Sequence, residues 1–461
     1  MGDTAPSHDS PAWAELDALF PGRIERGHAL REQHAVGDSW HPAMPPDAVL
    51  MVETTEEVAA AVAACHRHGL PVVPFGAGSS IEGQVQAARA GLSLDLSRMT
   101  RILRISPGDM DCTVEAGVTR QALNEDLRAT GLFFPIDVGA HATLGGLAST
   151  NASGTITVRY GTMRSLVLGL TVVLPDGRVV RTGGRARKSS SGYDLTRLFV
   201  GAEGTLGIIT ELTLRLHGVP EKNTAALASF DTIDDATETV VEAMQCGLAL
   251  NRIELLDASQ VRAINLYNRT DLPEKPSLMI DMAGAAAQVA ADMDVFGELA
   301  AARGAVVRPA DTPEDYSALW KLRHSALYAA RALRPGCKSL STDVCVPVTE
   351  LPGVIHAIRA ELDAANVLAP LHGHVGDGNF HLVMLFDPDS PKEMDDIRRL
   401  HARLIEMALR VGGTITGEHG VGLGKKSYME AEHGEALDVM RQIKRALDPA
   451  NILNPGKIFD L

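Results

Sequence analysis

Aromatic residues are scarce in this chain of 461 residues, at 4% with three tryptophans, so the interior must be filled by small and branched aliphatic side chains. Those are plentiful. Hydrophobic residues reach 45%, and 43 glycines accompany them. The five cysteines, Cys65, Cys112, Cys246, Cys337 and Cys345, are odd in number, scattered and without a Cys-x-x-Cys pair, which opposes a disulfide framework and fits buried thiols in a reducing compartment. No run of 18 apolar residues is present, which excludes a membrane-spanning helix. Positive charge is in deficit: 43 Lys and Arg stand against 58 Asp and Glu, a net charge of -15. A nucleic-acid-binding face, which needs concentrated basic charge, is therefore not expected. The one basic cluster, Arg178, Arg181, Arg185, Arg187, Lys188 and Arg197, reads as a solvated hairpin and loop. Met1 to Glu15 carries Asp3, His8, Asp9 and Glu15 and has no apolar core segment, so it does not read as a secretory signal.

At this length two domains are expected. Residues 1–45 are polar, with one amphipathic piece around Trp13 to Phe20, and read as an N-terminal arm. Thr54-x-x-Glu57 predicts a capping box, Val58, Ala59, Val62 and Ala63 recur at helical spacing, and Gly69 suits the C-terminal cap. A strand from Leu70 to Phe75 follows and opens into Gly76-Ala77-Gly78-Ser79-Ser80. These glycines begin a G-x-G-x-x-G pattern, but the sixth position is Ile81, so a Rossmann fold is not supported. A glycine-rich turn with two serines can still offer several donors to a pyrophosphate, and a plain surface turn is the alternative.

Residues 119–130 predict a helix closed by Gly131. Beyond it, Asp137 to Gly146 and Ser149 to Gly154 are so rich in Gly, Ala, Ser and Thr that a flat, extended ligand can lie directly on backbone. Pro175-Asp176-Gly177 predicts a hairpin between strands 166–174 and 178–182, and Thr210 to Leu216 alternates as a strand. The first domain, 46–220, is expected to end near Val219-Pro220. The pattern then becomes strand, helix, strand over 221–461, which predicts an α+β cap domain. The compact turn chemistry of Asp448 to Lys457 suggests that the last ~30 residues dock back on the first domain.

Two further motifs carry chemistry: Gly373-His374-Val375-Gly376-Asp377-Gly378-Asn379-Phe380-His381, and Gly417-Glu418-His419-Gly420-Val421-Gly422. Two imidazoles and a carboxylate, His374, His381 and Glu418, form a ligand set suited to a divalent metal, and His419 beside the carboxylate suggests a general base. Histidines in glycine-rich loops also serve only to bond backbone, and with 16 in the chain some cluster by chance. The ligand types admit zinc, manganese or iron.

Together these motifs resemble the FAD-linked oxidases of the vanillyl-alcohol-oxidase/p-cresol-methylhydroxylase fold. Within it the chain looks like the FAD-dependent D-2-hydroxyacid dehydrogenases, the cytochrome-linked D-lactate dehydrogenases above all. The resemblance runs from residue 46 to 461, and Arg334 to Lys338, Ser341 to Pro347 and the two histidine motifs are its most specific stretches. It implies an α+β protein with a two-part FAD-binding domain and an α+β cap. Pro74, Phe75, Gly76, Ala77, Gly78, Ser79 and Ser80 would surround the pyrophosphate. Asp137, Thr143, Gly146, Thr150 and Ser153 would follow the ribityl chain and flavin edge, and Glu203, Gly204, Gly207, Ile209 and Asn454 would complete the enclosure. His374, His381 and Glu418 fall on the family's metal ligands, His419 on its base and Arg323 on its clamp for the substrate carboxylate; a structural ion pair is the other reading of Arg323.

The activity so implied is oxidation of a small D-2-hydroxyacid, D-lactate first, by hydride transfer to flavin N5, with electrons passing to a cytochrome, quinone or flavoprotein. His141 lies in a flavin segment without matching the covalent families, so noncovalent FAD is expected. Glycolate and D-2-hydroxyglutarate are alternative substrates, and a flavin-free metallohydrolase using the same His, His, Glu set is the alternative from another class. Residues 1–45 are not Arg-rich like a mitochondrial leader, which favours a cytoplasmic enzyme, peripheral to the inner membrane at most.

Overall fold

The computed structural model describes residues 10–461, so the signal-peptide reading of Met1 to Glu15 falls largely outside the described residues. The chain divides into two compact units. The first holds the residues up to Ser153, Gly161–Val219 and Glu418–Leu461; the second holds Gly154–Tyr160 and Pro220–Gly417. The chain thus re-enters the first unit at Glu418, before the closing turn segment.

In the first unit, Thr54 caps the helix Thr55–His68 by accepting from the Glu57 amide, and Gly69 ends it at φ 65°. The expected capping box is only half made. The Glu57 carboxylate accepts from the Glu53 amide and from Arg23 instead of returning to Thr54. That helix packs with Pro11–Leu19, whose Ala12, Trp13 and Leu16 are buried in the unit's core. Residues 10–45 therefore belong to the first unit and bury apolar surface in it. Strands Ala48–Met51, Leu92–Asp95 and Val72–Phe75 pair in parallel, with Ile24–Glu25 antiparallel at one edge. A second sheet is antiparallel throughout, in the order Ile102–Ser106, Asp111–Glu115, Ile208–Arg215, Val167–Val173, Val179–Gly183. Its last two strands form the hairpin that Pro175-Asp176-Gly177 predicts.

The second unit is built on an eight-stranded sheet. Its path runs Val306–Pro309, Lys222–Ser229, Ser277–Gly284, Leu250–Leu256, Leu371–His374, Asn379–Phe386, Lys338–Ser341, and Val344–Cys345 also pairs with Asn379–Phe386. Every pairing in it is antiparallel. Leu256, Met279 and Ala225 join Val261, Ile264, Trp320 and Ala326 in an apolar cluster that seats the helices Ala258–Asn268, Pro313–His324 and Ala326–Ala332 on this sheet. Strand register sets which polar side chains face one another. Glu254 lies opposite His374, and His372 lies opposite His381.

The turn between the two histidine-bearing strands requires glycine. Gly378 sits at φ +81°, and a Cβ there would come within 1.8 Å of the Val346 carbonyl oxygen, whereas Gly304 at φ +72° has nothing within 4 Å. Gly304→Ala therefore meets only the conformational cost, about 1 kcal/mol. Gly378→Ala adds a backbone collision and is expected to lose at least ~1 kcal/mol more in chemical denaturation. Equal losses would contradict this close approach.

Candidate flavin cradle and histidine site

Pro74 and Phe75 end a strand of the parallel sheet, and the chain then turns through Gly76 to Ser80. The turn is packed too closely for side chains at its glycines. A Cβ at Gly76 would lie 2.5 Å from Thr143 Oγ1, and one at Gly78, already at φ +65°, would lie 2.8 Å from the Phe75 ring. Gly37 presses on the same turn from outside, where a Cβ would meet the Ser80 carbonyl oxygen at 2.2 Å. The Ser80 hydroxyl is buried and meets no protein partner. A buried donor without a protein acceptor is costly unless a ligand or water satisfies it. With half-buried glycine backbone on the same turn, this fits the pyrophosphate of a dinucleotide.

The remaining predicted cofactor residues are distributed around this turn. Thr143 accepts from the Gly146 amide at 3.3 Å and caps the short helix Leu144–Ser149. Thr150 closes that helix. Asp137 is buried and paired with Arg120 at 3.1 Å. Gly204, at φ +71°, packs on Pro74. Gly207 and Ile209 pack into the antiparallel sheet: a Cβ at Gly207 would meet Val172 Cγ1 at 2.5 Å, and Ile209 is 5% exposed. His141 bonds Gln121 through Nδ1 at 2.6 Å.

Two of these residues bond the Glu418-His419 motif of the same unit. The Ser153 hydroxyl donates to Glu418 Oε2 at 2.8 Å. The Glu203 carboxylate accepts from the amides of Val421 at 2.6 Å and Gly422 at 2.9 Å, which fixes the turn directly after His419. Gly420 is required there, since a Cβ would lie 2.5 Å from Glu203 Oε1. Gln84 Nε2 donates to the His419 carbonyl at 2.8 Å. Asn454 ties this assembly together, donating through Nδ2 to the carbonyls of Glu203 and Gln84 and through its amide to Val72.

In the second unit the structure brings His374 and His381 together, with ring centroids 5.6 Å apart. Each ring is oriented through Nδ1. His374 Nδ1 donates to Glu254 Oε1 at 2.7 Å, and His381 Nδ1 donates to the Thr342 carbonyl at 2.9 Å. A carbonyl and a carboxylate can only accept, so Nδ1 carries the hydrogen and Nε2 carries the lone pair. That is the tautomer a divalent metal needs. Arg323 also bonds Glu254, through Nε and Nη2, both at 2.7 Å, so much of its guanidinium is engaged within the protein. Asp343, a neighbour of His381 Nδ1 at 3.7 Å, takes Asn379 Nδ2 on Oδ1 and Thr416 Oγ1 on Oδ2. Glu254, Thr342 and Asp343 were not assigned from sequence. Glu254 did leave a signal, a carboxylate set between Ile253 and the pair Leu255 and Leu256 in a strand.

Comparison with known proteins decides the family. Residues 219–458 match the model described as FAD linked oxidases, C-terminal domain, and residues 46–183 match the FAD binding domain. The chain belongs to the FAD-linked oxidases. A Danio rerio protein named "Probable D-lactate dehydrogenase, mitochondrial" is 46% identical over 95% of this chain and 89% of its own length. An Arabidopsis thaliana protein named "D-lactate dehydrogenase [cytochrome], mitochondrial" is 44% identical over 92% of this chain and 75% of its own. The structure of p-cresol methylhydroxylase with substrate bound matches with a TM-score of 0.80 at 18% identity, covering 97% of this chain and 96% of that one, and so shares the fold. This FAD-linked oxidase is therefore an FAD enzyme of the p-cresol-methylhydroxylase fold, and the flavin-free metallohydrolase reading is set aside.

The oxidase's Glu203 has a pH signature. Burial pushes its carboxyl up to about 7, while the Val421 and Gly422 amides and the Lys457 ammonium pull the other way. A carboxyl raised in the folded state stabilises the fold fully below its ordinary 4.5, and that contribution is lost as pH rises through about 7. The difference in melting temperature, Glu203→Gln minus wild type, should therefore grow between pH 5 and 7.5 and then level off, by the equivalent of roughly 3 kcal/mol. A pH-independent difference, measured on the flavin-loaded protein, would contradict a buried, proton-holding Glu203.

Proposed function

We propose that this FAD-linked oxidase oxidises a small D-2-hydroxyacid, D-lactate foremost, to the 2-oxoacid and passes the electrons to a non-nicotinamide acceptor. The observation that carries the reading is the pair of imidazoles, His374 and His381, both held with Nε2 as the lone-pair nitrogen, in a chain whose relatives are named D-lactate dehydrogenases. Bound FAD supplies the hydride acceptor of the reaction. A divalent ion, zinc, manganese or iron, would be held by His374, His381 and Glu418 and supplies Lewis acidity toward a substrate hydroxyl. Asp343 is assigned to orientation, because both its carboxylate oxygens already accept from Asn379 and Thr416.

The chain's own residues then have defined tasks. His419 takes the hydroxyl proton, and the bonds from Gln84 to its carbonyl and from Glu203 to the two following amides keep the backbone on either side of it still. Ser153 orients Glu418. Arg323 is assigned to the substrate carboxylate through the part of its guanidinium that Glu254 does not take. A dicarboxylate such as D-2-hydroxyglutarate needs a further cationic clamp, which ranks it behind D-lactate, and glycolate ranks behind D-lactate on the names of the relatives at 44–46% identity. The acceptor is a cytochrome, quinone or flavoprotein, with the cytochrome favoured by the Arabidopsis relative's name. No helix among the described residues is long and apolar enough to cross a membrane, and a cytoplasmic location with the acceptor met at the membrane surface completes the reading.

Anaerobic titration of the purified protein tests this. D-lactate should bleach the flavin band while L-lactate leaves it unchanged. His419→Ala should stay yellow and metal-loaded yet no longer be reduced, by a loss of 100-fold or more in rate. Glu418→Ala should lose metal as well. Reduction by L-lactate alone, or unimpaired reduction of either variant, would overturn the assignment.

A further inference from the structure

Glu254 has no exposed surface, lies in a sheet strand with apolar neighbours, and is opposite His374 in register. Its two oxygens divide the work. Oε1 accepts from His374 Nδ1, and Oε2 accepts from Arg323 Nε and Nη2. One guanidinium thus pairs with the same carboxylate through its other oxygen. An imidazole that donates at Nδ1 keeps Nε2 for a metal. We propose that Glu254 is a positioning residue that sets the tautomer of His374 for metal binding and is itself held in the acceptor role by Arg323. The proposal rests on the metal reading given above.

The arrangement makes an asymmetric prediction. In Glu254→Gln the amide has one oxygen and one NH2 group to share between two donors. Arg323 can only donate, so it claims the oxygen and turns the NH2 toward His374. The imidazole must then accept at Nδ1 and carry its hydrogen on Nε2, the wrong tautomer for ligation. Removing the guanidinium as well, in Glu254→Gln/Arg323→Met, frees the amide oxygen to turn to His374 and restores the right one. A purely structural role for the pair predicts the opposite order, with the double variant no better than the single.

The test uses the full-length, FAD-loaded protein. Zn2+ and Mn2+ affinities are measured by titration, and the histidine tautomers of the metal-free protein by long-range 1H–15N NMR with 15N-histidine labelling, the His374 signal being assigned from a His374→Ala spectrum. Glu254→Gln should bind either ion 10- to 100-fold more weakly than wild type. The double variant should recover most of that loss. In the metal-free spectra His374 should carry its hydrogen on Nδ1 in wild type and in the double variant, and on Nε2 in Glu254→Gln. Unchanged affinity in Glu254→Gln, or a double variant weaker than the single, overturns the proposal. Should wild type bind neither ion, the metal reading fails, and the tautomer result alone then decides whether Glu254 sets the ring: an unchanged His374 tautomer in Glu254→Gln would overturn it too.

Discussion

The arrangement depends on two hydrogen bonds at the back of two imidazoles. Nδ1 of His374 and of His381 is held by a group that cannot donate, the Glu254 carboxylate in one case and the Thr342 carbonyl in the other, which puts a ring hydrogen on Nδ1 of each. A histidine is ambiguous by itself, since either nitrogen can carry the hydrogen and the ring can take up a charge in the physiological range. The sheet removes the ambiguity. The antiparallel register places Glu254 across from His374, so the orientation of the ring follows from strand pairing and not from a flexible loop. Arg323 pairs with the buried carboxylate, and breaking such a pair by removing one partner costs about 3–5 kcal/mol, which explains how Glu254 persists without exposed surface.

The first unit shows the same economy around the flavin turn. The backbone between Gly76 and Ser80 is pressed between Thr143, Phe75 and Gly37, so its shape is determined before a cofactor arrives. Glu203 links that region to the Glu418-His419 motif, with its carbonyl held by Asn454 and its carboxylate holding the turn after His419. Its neighbour Lys457 is also buried, and burial lowers the ammonium to about 7, with the Glu203 charge resisting. Glu203, expected to enclose cofactor, also fixes the backbone that follows His419.

Local signals were legible wherever the physics is local. Thr54 and Gly69 bound their helix as read, because an N-cap hydroxyl and a left-handed glycine act within one turn. The hairpin at Pro175-Asp176-Gly177 and the tight glycine turn after Phe75 were readable for the same reason. What spacing could not give was any partner distant in sequence. Glu254 and His374 are 120 residues apart, and Ser153 and Glu418 are 265 apart, so only the folded sheet and core reveal them. The half-made capping box failed because Glu57 has a stronger partner in Arg23 than in a neutral amide. Residues 10–45 read as an arm because their polar composition hides Ala12, Trp13 and Leu16, which are buried in the core.

Electron spin-echo envelope modulation of the Mn2+-loaded, FAD-replete protein tests the central claim most directly, since it registers nitrogen ligands without relying on turnover. Modulation from two imidazole nitrogens is predicted, falling to one in either His374→Ala or His381→Ala. A manganese spectrum free of nitrogen modulation, or one that neither substitution alters, would contradict the account.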